Sequence, residues 1–143
     1  MNLLPRHRSL LLLALVAAPV GAILALGGCA TTPAEDARVA AERYRTAIAS
    51  PVRTDQDRRM DAARRPTEFL AFTQVKPGMQ VLDVAAGGGY TSQLLALAVG
   101  TGGMVWAQSP QPGATLTKRL ADQPQTNLVV VKRPFDDPVP EGT

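Results

Sequence analysis

The sequence predicts an α/β fold, in which helices alternate with short strands of a parallel sheet, preceded by further helices and a signal segment. Three observations predict it. Short apolar runs, Met79 to Val84, Met104 to Gln108 and Asn127 to Val131, are separated by helical patterns. The first run carries an acid, Asp83, and leads into three consecutive glycines, Gly87, Gly88 and Gly89. The single Cys and single His, Cys29 and His7, both fall in the amino-terminal segment, so no internal disulfide can staple the chain. The sheet-bearing part therefore lacks a Ser-His pair, a thiol nucleophile and a Cys/His zinc set. We expect no metal site.

The amino terminus has three parts. Arg6, His7 and Arg8 form a basic start, Ser9 to Leu26 is almost wholly apolar, and Leu26-Gly27-Gly28-Cys29 follows. This is the pattern of a secretory signal. A Cys after two small residues resembles the bacterial lipoprotein box. That resemblance implies removal of residues 1–28 and acylation of Cys29, which would hold the protein at a membrane. Ala30 is not acidic, which by the same resemblance favours the outer membrane, facing the periplasm, over an inner-membrane anchor.

Residues 29–65 read as a tether and helical extension. Thr31 to Pro33 is the tether, and Glu35 to Ala49 has Val39, Ala40, Tyr44, Ala47 and Ile48 near helical spacing. In RTDQDRRMDAARR, Asp57 and Asp61 lie one turn apart, as do Asp61 and Arg65. That spacing predicts a solvated face with weak ion pairs. Residues 66–143 form the sheet-bearing domain. A helix runs from Pro66 through Thr73, with Phe69, Leu70 and Phe72 expected inside. Lys76-Pro77-Gly78 is a turn before strand one. The helix Tyr90 to Val99 turns Leu94, Leu95, Ala98 and Val99 inward and closes at Gly100. Ala114 to Asp122 forms the helix between strands two and three.

The formal net charge is +3, and two of the basic residues, Arg6 and Arg8, belong to the leader. The remainder is close to neutral. Aromatic residues make up 4%, too few for a single-stranded nucleic-acid stacking platform. Nothing here indicates a nucleic-acid partner.

A parallel strand running into a helix leaves free N–H groups above the strand end. Glycines there let the backbone turn sharply and let a ligand approach. Two familiar phosphate loops fit badly. Tyr90-Thr91 lacks the Lys of a P-loop, and Tyr90 stands where a dinucleotide loop needs its third glycine. Asp83 before the glycines would repel a pyrophosphate and suit an ammonium group.

The stretch Asp83-Val84-Ala85-Ala86-Gly87-Gly88-Gly89, with its VKPGMQVLDV lead-in, resembles the first motif of class I S-adenosylmethionine-dependent methyltransferases. It is closest to predicted members that also carry a leader. The resemblance covers about Pro66 to the end of the chain. It implies a Rossmann-like core with S-adenosylmethionine as cofactor. Asp83 would hold the cofactor's amino acid end, and Gly87, Gly88 and Gly89 would admit it closely. Ala85 stands where the family has its first glycine. Gln108 stands where the family usually has a ribose-binding acid. Asp136, or its neighbour Asp137, would meet the adenine amino group. The resemblance assigns no catalytic residue and no methyl acceptor. It also implies that this chain supplies the amino-terminal half of the family's sheet, strands 3-2-1, and is inactive alone. The alternative reading is a lipid-anchored periplasmic binding or structural module that keeps the fold without catalysis.

Overall fold

The computed structural model describes residues 32–143; the leader, Cys29, Ala30 and Thr31 lie outside the described residues. Helix α1 spans Pro33–Ala49. It starts before Glu35 because Thr32 and Pro33 act as cap and first residue. The Thr32 hydroxyl accepts from the Glu35 N–H at 3.3 Å, and Glu35 and Asp36 complement the helix dipole. Helix α2 spans Asp55–Arg64 and opens with a reciprocal cap. The Asp57 N–H donates to the Thr54 hydroxyl at 3.1 Å, and the Thr54 N–H donates to the Asp57 carboxylate at 2.8 Å.

Arg65, at φ 48°, turns the chain into α3, Pro66–Thr73. Pro66 and Leu70, four residues apart, share its buried face. Phe72 lies about 200° round the helix from Leu70. It is 87% exposed, which corrects the expectation that it is buried. Phe69 is partly buried against the core.

Strand β1 spans Gln80–Asp83, helix α4 Tyr90–Val99, strand β2 Met104–Gln108, helix α5 Ala114–Asp122 and strand β3 Leu128–Val131. Strand β1 is shorter than its apolar run because the Met79 N–H closes a turn on the Lys76 carbonyl. Asn127 sits just before β3. Its amide donates to the Ala96 and Gly100 carbonyls at 2.9 and 2.8 Å, satisfying the free end of α4.

The fold is mixed α/β with a three-stranded parallel sheet in the order β1-β2-β3. Asp83 pairs with Ala107, and Ala107 pairs with Val130. Helix α4 lies on β1 and β2, and α1 and α3 pack on α4. Leu94, Val99 and Val105 are fully buried in this packing, and so is Leu116 of α5. Among the described residues no helix is long and apolar enough to cross a membrane. Because the strands are parallel, their carboxyl ends share one edge, and Asp83, the glycine loop and Gln108 lie there.

Candidate functional site

Asp83 ends β1 and meets the first turn of α4. Its carboxylate accepts from the Ser92 hydroxyl at 2.5 Å. Gly89, the residue capping α4, offers no side chain, and the Asp83 carboxylate stands at that helix start from the neighbouring strand. Burial raises the Asp83 pKa, and hydrogen bonding from Ser92 opposes the rise. A carboxylate already occupies the helix start, so a phosphate there would be repelled. A cationic group beside Asp83 would be favoured.

In the loop from Val84 to Gly89 every second residue is left-handed. Ala85, Gly87 and Gly89 have φ of 58°, 56° and 82°. The three glycines do different work. A Cβ on Gly87 would meet nothing nearer than the Ala85 carbonyl at 3.8 Å, so its exposed side is open. On Gly89 a Cβ would lie 2.7 Å from Leu116 Cδ1 and 3.1 Å from Arg119 Cδ. On Gly88 it would lie 3.3 Å from Thr115 Cγ2. Gly88 and Gly89 therefore admit α5 closely. Gly87 keeps an open face.

Ala85 holds a conformation that costs an L-residue about 1–2 kcal/mol. Ala85→Gly should raise stability by about 0.5–1 kcal/mol after the extra entropy of an unfolded glycine is counted. Urea unfolding should show a higher midpoint with an unchanged slope.

Gln108, at the end of β2, is fully buried. Its Oε1 accepts from the Ala85 N–H at 3.0 Å, and its Nε2 donates to the Arg133 carbonyl at 2.6 Å. The Gln108 carbonyl accepts from the Ala86 N–H at 2.9 Å. One side chain thus ties the loop after β1 to the segment after β3. Both polar ends of the Gln108 amide are committed to backbone. Asp136 is exposed on the segment after β3. Its neighbour Asp137 is paired with Arg133, which also donates to Glu141 at 3.2 Å.

Sequence reasoning missed the polar network behind the loop. Asp57 and Arg53 are 1% and 3% exposed. The RTDQDRRMDAARR segment therefore buries one side, while Asp55, Arg58, Arg59, Arg64 and Arg65 keep the solvated face that the spacing predicts. Arg119 of α5 donates to both Asp57 oxygens at 2.7 Å, to Gln93 Oε1 at 2.6 Å and to the Gly88 carbonyl at 2.9 Å. Arg53 grips Asp61 with bonds of 3.0 and 2.5 Å. The Tyr90 hydroxyl donates to Asp61 at 2.7 Å, and the guanidinium groups of Arg53 and Arg64 lie over the Tyr90 ring. Burial and Asp61 together push the Tyr90 hydroxyl up to about 12. The one signal for this in the sequence was two acids a turn apart, and solvated helices carry the same spacing.

A concave surface of about 950 Å³ lies along α1, lined in part by Arg38, Glu42, Thr46 and Leu97. It does not reach Asp83, and the chemistry gathers at the loop instead. Among the described residues no group of three or more His, Cys, Asp or Glu is placed to hold a metal ion. The chain matches no protein-family model, no curated protein and no solved structure.

Proposed function

We propose that the loop from Asp83 to Tyr90 binds the amino acid end of S-adenosylmethionine, and that residues 66–143 are the cofactor-binding half of a Rossmann-like methyltransferase core. The observation that supports this reading is Asp83 at the carboxyl end of β1, beside a left-handed loop whose Gly87 face is open. The parallel order β1-β2-β3 supports it too. In that fold the free edge of β1 takes a further strand, which would complete the cleft and bring the methyl acceptor. Asp83 would pair with the cofactor ammonium, and Asp136 would face the adenine. Attachment of lipid to Cys29 at the periplasmic face of the outer membrane belongs to the same proposal.

The second reading, an anchored module with the fold and without catalysis, is favoured by the engaged Gln108 amide and by the packing of Gly89 on Leu116. Calorimetric titration with S-adenosylhomocysteine separates the two. The methyltransferase reading expects saturable heat from the full chain. It expects Asp83→Asn to remove that heat without lowering the thermal midpoint, since the amide retains an acceptor for Ser92 and relieves a buried charge. A folded wild-type protein that gives no heat would leave the second reading.

A further inference from the structure

We propose that α2 braces the glycine loop from behind, with Asp57 and Arg119 as positioning residues for it. The proposal rests on the reading of that loop as a binding element. Asp57 and Asp61 project from α2 one turn apart, and each engages an arginine, the buried Arg53 for Asp61 and the largely covered Arg119 for Asp57. The two arms reach either side of Gly89. The Asp57 arm runs through Arg119 to the Gly88 carbonyl, and the Asp61 arm runs to the Tyr90 hydroxyl.

The geometry is specific to arginine. Arg119 distributes four bonds among a carboxylate, an amide oxygen and a loop carbonyl, and its side chain is 9% exposed. A lysine is a compact charge that can satisfy Asp57 but cannot span these three partners. The Asp57 carboxylate is itself fixed by the Thr54 N–H and hydroxyl at 2.8 and 2.9 Å. The chain of restraint therefore passes from the cap of α2, through a buried ion pair, to the backbone that a ligand would touch. None of these residues needs to touch the ligand. They hold the Gly88 peptide and the start of α4 in the orientation that Asp83 and the loop require.

Amide hydrogen exchange on the full chain tests this, with titration of S-adenosylhomocysteine as a parallel readout. Arg119→Lys keeps the charge on Asp57 and loses the fork. It should accelerate exchange at Gly89 and Gln93 by about tenfold, the loss of one charge-assisted hydrogen bond. Ala86, whose N–H is tied to Gln108, should move less. Val105 and Leu128 in the sheet should stay within about twofold, because they open only with the whole domain. Affinity for S-adenosylhomocysteine should fall about tenfold alongside. Lys118→Ala, which removes an exposed pair on the same helix, should change neither readout.

Uniform acceleration across loop and sheet would overturn the proposal, because Arg119 would then serve overall stability. Unchanged exchange at Gly89 would overturn it as well. A wild-type protein that binds no S-adenosylhomocysteine, yet shows the localised exchange pattern, would defeat the cofactor reading and leave the brace standing.

Discussion

Asp57→Ala should destabilise the protein by about 3–5 kcal/mol, because it strands the Arg119 guanidinium in the interior without its partner. That is a large share of the roughly 5–15 kcal/mol that holds a domain of this kind together. Urea unfolding gives the number directly. The double variant Asp57→Ala with Arg119→Leu should cost less than the sum of its parts, since the uncompensated charge is gone. The same pair sets an acid limit. Burial alone would raise the Asp57 pKa, but bonds from Arg119 and Thr54 outweigh it and hold the carboxyl at about 2. A lowered acid contributes stability above its unfolded value, 3.8, and loses it as pH falls toward 2. Asp61, lowered chiefly by its bond from Arg53, adds in the same direction. Asp83 runs the other way, since its raised pKa means that ionisation costs stability as pH rises through the folded value. Acid unfolding between pH 4 and 2 should therefore be shallower in Asp57→Ala than in the wild type.

Gly89→Ala should cost about 2–4 kcal/mol, from a left-handed alanine and from overpacking against Leu116. The added Cβ would lie 2.7 Å from Leu116 Cδ1, and Leu116 is fully buried with nowhere to retreat. Gly87→Ala is the informative contrast. Its φ is also positive, at 56°, but its Cβ would make only an ordinary contact with the Ala85 carbonyl at 3.8 Å. It should cost about 1–2 kcal/mol, the backbone penalty alone. Thermal or urea unfolding of the two variants side by side checks the difference. Equal costs would mean that α5 does not press on the loop as described.

The strands and the helices between them were legible because their signals are local. Met104 to Gln108 and Tyr90 to Val99 carry their own periodicity and end at glycine or turn residues, and the structure places them at those bounds. The acid and the glycines were legible for the same reason. Their roles were less so, because a glycine in sequence does not say what comes near it. Gly89 meets a leucine from α5, twenty-seven residues later, and nothing around Gly89 announces Leu116. The burial of Arg53 and Asp57 was hidden for a related reason. Charged residues at helical spacing look alike whether water or Arg119 satisfies them, and the partner that decides it comes from another element. Gln108 could be placed at the strand end, but its engagement with Ala85 and Arg133 depends on three chain segments meeting there.

The most direct test of the cofactor reading is the set of backbone amide shifts that S-adenosylhomocysteine induces in the isotopically labelled full chain. The account predicts saturable shifts at Asp83 to Tyr90 and at Gln108 and Ser109, where the strand ends and the loop meet. Shifts confined to the concave surface along α1, or no shifts in a well-folded spectrum, would contradict it.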